Sequence, residues 1–206
     1  MNPIIVDKST LMVVLIDLQP WFVNNQSSDV KSLMVRIQQL LLTCDTLQIP
    51  VLATLEEPIA RKGYLIDCLA TRLPGSGIVL PKLAYDLCEE PNIRKVLLQS
   101  NRKQFAVVGV ETDVCVLQSV LGLLRRGLDV FLVEDCVMSS SKDTSAARAR
   151  MFSCGAIPVT WKSLYHELLR TDDLDNRFQA DVEPAKRFFA PPEEFPDGHG
   201  YSVEEL

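Results

Sequence analysis

The stretch Phe105-Ala106-Val107-Val108-Gly109-Val110-Glu111-Thr112-Asp113-Val114-Cys115-Val116-Leu117 decides the fold class. It begins with a continuous run of apolar residues and glycine, which suits a strand buried on both faces. The period then changes. Val114, Leu117, Val120, Leu121 and Leu124 recur at three- and four-residue steps, the mark of one helical face, and Gly127 closes it. A strand that feeds directly into a helix is half of a βαβ unit. The same grammar repeats upstream. Val13-Val14-Leu15-Ile16 is an apolar run ending at Asp17, and Ser27, Ser28 and Asp29 offer a helix start. Leu33, Ile37, Leu40, Leu41, Cys44 and Leu47 then form a second helical face, and Pro50 to Leu55 reads as the next strand. Pro58, Gly63, Pro74, Gly75 and Gly77 break residues 56–77 into loop, with a short helix near Ile66. Ile78-Val79-Leu80 is a short strand, and Pro91 to Gln99 is a helix. Downstream come a strand at Val130-Phe131-Leu132-Val133, a helix over 142–153, a strand at Ala156 to Val159 and a helix from Lys162 to Arg170. Six strands separated mostly by helices predict an α/β fold: a three-layer αβα sandwich around a six-stranded, mostly parallel, Rossmann-like sheet.

The chain has 206 residues, of which 47% are apolar and 23% charged, an ordinary globular balance with room for one sizeable core. The net charge of −6 argues against a generic nucleic-acid binder. The acidity is concentrated from Asp172 onward, where ten acidic residues stand against three basic ones and four of the 12 prolines fall. The expected organisation is therefore one domain over 1–170 and an acidic, proline-containing extension over 171–206, laid out as an arm. No apolar run reaches the roughly 18–20 residues that span a bilayer, so no membrane partner is expected. No basic stretch and long apolar core open the chain, and the expected location is cytoplasmic. The six cysteines are scattered singly, with no CxxC, and read as reduced thiols. Only His166 and His199 are histidines, which leaves little material for a histidine-based zinc site or triad.

Ligands of open parallel sheets bind at the carboxyl ends of the strands, so polar residues there carry the functional reading. Asp17 ends the first strand; it serves either as a cap or turn residue, or as a partly buried carboxylate whose raised pKa suits a general base. Lys82 follows the third strand; it is either a solvated lysine or a cation that points inward to hold an anion. Cys115 lies where strand becomes helix; it is either a small core residue or a nucleophile helped by first-turn N–H groups. Glu56 and Glu57 end a strand as well, with loop solvation as their plainer use. Trp21 and Phe22 either line a pocket or simply pack. Ser139, Ser140 and Ser141 are expected to cap the following helix.

Taken together these positions resemble the isochorismatase-like cysteine hydrolase superfamily, in its metal-free branch. Leu15-Ile16-Asp17-Leu18-Gln19-Pro20-Trp21-Phe22 resembles its first motif, an apolar strand ending in Asp-x-Gln and an aromatic. Val108 to Val116 is similar to its nucleophile motif, and Arg126-Gly127-Leu128-Asp129-Val130 with Val133-Glu134-Asp135-Cys136 to its next strand and acidic end. The resemblance runs over about residues 10–170. It implies a Cys115 nucleophile, Asp17 as base, Lys82 as supporting cation, and an oxyanion hole from the backbone N–H groups of Glu111 and Cys115 after a cis peptide at Val110–Glu111. It further implies a substrate pocket with Gln19, Phe22 and Thr112, a small-molecule substrate, and a homo-oligomer. The metal-binding nicotinamidases of the superfamily carry histidines after the second strand. The corresponding Thr54 to Ala60 here has none, so no metal and no cofactor are expected. The implied reaction is hydrolysis of an amide or ureido C–N bond through a thioester. Two other readings remain open: a catalytically silent, oligomeric binding or scaffold member of the fold, and a redox-responsive thiol protein.

Overall fold

The computed structural model describes residues 4–24, 30–171 and 174–175. The expected helix start at Ser27 to Asp29 and nearly all of the acidic extension lie outside them. The chain order is β1 (Leu11–Ile16), α1 (Pro20–Val23), α2 (Val30–Thr46), β2 (Val51–Glu56), α3 (Ile59–Lys62), α4 (Asp67–Ala70), β3 (Ile78–Lys82), a 3₁₀ turn (Leu87–Glu89), α5 (Pro91–Ser100), β4 (Gln104–Val110), a π-helical turn (Thr112–Val116), α6 (Leu117–Leu124), β5 (Asp129–Met138), α7 (Ser145–Ser153), β6 (Ile157–Val159) and α8 (Trp161–Leu169).

The six strands form one sheet in the order β3-β2-β1-β4-β5-β6, and every neighbouring pair is parallel. Alternation along β1 builds the three layers. Leu11, Val13 and Leu15 pack with Leu33, Ile37 and Leu40 of α2 and Leu164 and Leu168 of α8. Met12, Val14 and Ile16 face the other way, onto Ile93 and Leu97 of α5, Val120 and Leu123 of α6 and Met151 of α7. These β1 side chains are essentially sealed from water, and each contributes about 1.5–3 kcal/mol of burial free energy.

Because β1 lies between β2 and β4, the winding reverses there. The carboxyl ends of β1 and β4 open a crevice at that reversal, the place where such sheets hold ligands. Gly109 makes the approach possible. It stands opposite Ile16 in the β1–β4 ladder with φ +124°, and an added Cβ would fall onto the Ile16 carbonyl oxygen. Only glycine fits both the backbone angle and the space. The variant Gly109→Ala is expected to lose about 2–5 kcal/mol, read as a lower urea midpoint, because it combines overpacking with a disfavoured φ.

Elements differ from the sequence expectation mainly at their ends. β3 runs through Pro81 to Lys82, which an edge strand tolerates because its outer side needs no ladder hydrogen bond. β5 continues to Met138, past the charges at Glu134 and Asp135, through an irregular register between Val107 and Gly109 of β4. Ser139 to Ser141 do not cap α7. Their hydroxyls turn back to Glu111 and Asp113, and the Ser145 N–H is taken by Asp143.

Candidate active site

Four adjacent strands each deliver one polar group to the crevice. Asp17 lies one residue beyond β1, Glu56 is the last residue of β2, Lys82 the last of β3, and Cys115 follows β4. Asp17 leaves its strand with φ 52°, a left-handed conformation that aspartate adopts more readily than most residues. Its carboxylate is fully buried; Oδ1 accepts from the Thr54 hydroxyl at 2.8 Å and Oδ2 lies 2.7 Å from Lys82 Nζ. The Lys82 ammonium is itself 1% exposed. It lies 3.7 Å from Glu56 Oε2 and 3.6 Å from Cys115 Sγ, and donates to the Ala84 carbonyl at 3.3 Å. The lysine therefore sits inside the sheet end, not in solvent beyond it.

Glu56 is the residue that sequence reasoning underrated. It is buried, not solvated; Oε2 accepts the Cys115 thiol at 3.0 Å, and Oε1 pairs with Lys62 Nζ at 2.5 Å. A usable signal existed, because Glu56 ends β2 in the ladder position opposite Lys82. Lys62 carried no such signal: it returns to the site from α3, where it also donates to the Glu57 carbonyl at 2.7 Å and lies 5.4 Å from the centre of the Phe22 ring.

The remaining expected site residues have separate tasks. Gln19, expected to line the pocket, is fully buried and both ends of its amide bind backbone. Oε1 accepts from the Glu56 N–H at 2.7 Å, and Nε2 donates to the carbonyls of Glu56 and Gly63 at 3.2 and 2.7 Å. That geometry makes it a brace for the end of β2. The Glu111 carboxylate turns away to Ser139 and Ser140, and the Val110–Glu111 peptide is cis. Thr112 is fully buried, and its hydroxyl has no hydrogen-bond partner among the described residues. Since an unsatisfied hydroxyl is costly, Thr112→Val is expected to be neutral or to stabilise by up to about 1 kcal/mol in urea unfolding. Trp21 is 45% exposed beneath the Arg61 guanidinium, and with Pro20, Lys62 and Gly63 it lines an open pocket of about 450 Å³. Asp17, Lys82 and Cys115 do not line that pocket; Lys62 is the link between it and the buried cluster.

Cys115 occupies the π-helical turn ahead of α6, not the first turn of an α-helix, and the Val116 N–H reaches back to the Glu111 carbonyl at 3.1 Å. Its surroundings do not favour a resting thiolate. Burial pushes the thiol pKa up, the Asp17 charge and the Glu56 contact push the same way, and Lys82 opposes them. Asp17 and Glu56 already balance Lys82 and Lys62, so a thiolate would add an uncompensated charge. Burial likewise raises Asp17, against the pull of Lys82 and Thr54. For Glu56 the balance falls the other way: burial raises it, but the Cys115 and Lys62 hydrogen bonds and the Lys82 charge hold it below its ordinary value. For Lys82, burial lowers the ammonium's pKa, and the Asp17, Cys115 and Glu56 charges more than restore it.

The donor atoms of Asp17, Glu56 and Cys115 lie within 4.8 Å of one another, a spacing that would suit a metal ion. The Lys82 ammonium already stands among them, so lysine supplies the cluster's central positive charge.

The isochorismatase domain family model matches residues 11–163, which contain every strand and all four polar groups. The chain belongs to the isochorismatase family. One curated relative, isochorismatase family protein 1B of Dictyostelium discoideum, is 31% identical over 131 residues, 62% of this chain and 63% of that protein. Among solved structures, the MAR1 ribonuclease of Caenorhabditis elegans is similar with a TM-score of 0.81 at 24% identity, over 97% of this chain and 98% of that one. The YcaC protein of Escherichia coli, described as an octameric hydrolase of unknown specificity, superposes with a TM-score of 0.80 at 22% identity, over 91% and 95%. At these identities the likeness to solved structures is one of fold. This isochorismatase-family chain shares with them the parallel sheet whose switch point holds the cluster.

Proposed function

We propose that this protein is a cysteine hydrolase that cleaves an amide or ureido C–N bond of a small molecule through a thioester. The observation that carries the reading is the Lys82 ammonium, 2.7 Å from Asp17 and 3.6 Å from Cys115 in a sealed site at the switch point. Asp17, whose burial favours proton uptake, accepts the thiol hydrogen as sulfur attacks the carbonyl carbon, and passes it to the departing nitrogen. Lys82 offsets the negative charge on sulfur. The backbone N–H groups of Glu111 and Cys115 hold the carbonyl oxygen as it becomes an oxyanion; a donor in that role typically contributes about 10²–10³ in rate. Phe22 and Thr112 bound the substrate. No metal and no cofactor enter the scheme.

The raised thiol counts against the redox-responsive reading, which needs an exposed, thiolate-rich cysteine. The ribonuclease description belongs to a neighbour of 24% identity, and the net charge of −6 here gives a polyanion little attraction. The octameric state of the E. coli neighbour and the exposed Tyr64, Leu83 and Tyr85 support a homo-oligomer. Six free cysteines, five of them buried, suit a reducing compartment, so the proposed location is cytoplasmic. Among the described residues no helix is long and apolar enough to cross a membrane. The test is release of ammonia or amine from a panel of small amides and ureides. Turnover of at least one by the wild type and none by Cys115→Ser supports the reading; no turnover of any, with ligand binding retained, returns the silent binding member.

A further inference from the structure

The site contains a second carboxylate that an Asp-Lys-Cys scheme leaves without a task. Glu56 Oε2 receives the Cys115 thiol at 3.0 Å, and both partners are buried. Lys62 fixes the other oxygen at 2.5 Å, and Gln19 clamps the backbone of the same residue from both sides. A surface glutamate needs none of this support. The two carboxylates at the sulfur also differ in their access to water. Asp17 is fully enclosed, with the Thr54 hydroxyl, the Lys82 ammonium and the Cys115 thiol around its carboxylate. Glu56 is 8% exposed, and its partner Lys62 lines the open pocket beside Trp21.

We infer that Glu56 is a further catalytic residue, the general base that activates water to hydrolyse the thioester on Cys115, and that Lys62 is its positioning residue. The inference rests on the cysteine-hydrolase reading and divides its two halves between the two carboxylates. In the second half a water O–H bond breaks and its proton goes to Glu56 Oε2. The water oxygen bonds to the acyl carbon, and the C–S bond breaks with its electron pair returning to sulfur beside Lys82. Sulfur then takes the proton from Glu56, and the acid product leaves. The end state has the thiol donating to a Glu56 carboxylate, which is the arrangement in the resting site. The contrast between the two groups agrees with this division. Glu56 is held below its ordinary pKa and so stays ionised and ready for water, while Asp17 is raised and suits picking up and returning a proton.

The test is stopped-flow hydrolysis of p-nitrophenyl acetate, an activated ester that acylates thiols, with intact-mass and peptide mapping of the protein. The wild type is expected to release a burst of about one equivalent of nitrophenol and then turn over, as acyl-enzyme kinetics require. In Glu56→Gln the burst is expected to remain, while the steady rate falls by about 10² or more and acetylated Cys115 accumulates. The double variant Glu56→Gln/Lys62→Met removes both charges and guards against misfolding from a stranded lysine; it is expected to show the same block. If either folded variant deacetylates Cys115 at the wild-type rate, the inference is overturned and the hydrolase reading stands. If the wild type gives no burst and no acetylated Cys115, the hydrolase reading itself falls, and the inference with it.

Discussion

Lys82→Met is expected to destabilise the fold by about 3–5 kcal/mol, the cost of leaving a buried charge without its partner. The stranded group is Asp17, fully enclosed and left with the Thr54 hydroxyl and the Cys115 thiol but no cation. Methionine keeps the length and apolar stem of lysine, so the loss reports charge and not volume. The double variant Asp17→Asn/Lys82→Met removes both charges and is expected to recover most of the stability, though not the activity. The penalty also depends on pH, with a definite sign. In the single variant burial raises Asp17 against only the Thr54 and Cys115 hydrogen bonds, so its folded pKa stands above the unfolded value of about 3.9. The penalty is therefore absent well below that pH, where both states are protonated, and grows as pH rises toward the folded pKa. In the wild type the Lys82 pKa is raised, so its stabilising contribution is complete below about 10.4 and is lost as pH rises through the folded value. Urea midpoints of the three proteins across pH check both statements. Equal midpoints for wild type and Lys82→Met at neutral pH would remove the buried pair from the account.

The largest expected effect on activity is that of Cys115→Ser, a loss of about 10⁴-fold or more in kcat. Serine keeps a donor toward Glu56 and a similar shape, so the thermal midpoint is expected to stay within a few degrees of the wild type. Its hydroxyl is far harder to ionise, and none of the surrounding carboxylates compensates. The pairing of a large kinetic loss with an intact fold separates a nucleophile from a core cysteine. Cys44 gives the contrast: it is fully buried in α2 within the core cluster away from the site, and there the same change is expected to cost stability and leave kcat alone.

The parallel sheet was legible because apolar runs such as Leu11–Ile16 and Gln104–Val110 are buried on both faces and so lack the alternation of a half-solvated strand. Asp17, Lys82 and Cys115 were legible because each stands at the carboxyl end of such a run. Glu56 stands there too, but its solvation looked sufficient, and its burial depends on Lys62 folding back from α3 and on the Gln19 clamp. Those are contacts between segments, which local composition does not encode. The same holds for the state of the thiol. Position alone suggests a stabilised thiolate, while the two carboxylates that oppose it come from β1 and β2. Gln19 reads as a ligand contact because it follows Asp17 by two residues, yet its amide is consumed by backbone groups 37 and 44 residues away.

The central claim is that Asp17, Glu56, Lys82 and Cys115 form one electrostatic unit around the sulfur. The most direct test is the pH dependence of iodoacetamide alkylation at each cysteine, read by peptide mass spectrometry in the wild type, Glu56→Gln, Asp17→Asn and Lys82→Met. An unperturbed thiol titrates near about 8.5. In the wild type the Cys115 rate is expected to rise only above that pH, because burial and two carboxylates hold the proton on. Glu56→Gln and Asp17→Asn each remove a negative charge and are expected to move the profile to lower pH. Lys82→Met removes the opposing charge and is expected to move it higher. A Cys115 profile that is the same in all four, or a wild-type thiol that ionises well below 8.5, would contradict the account.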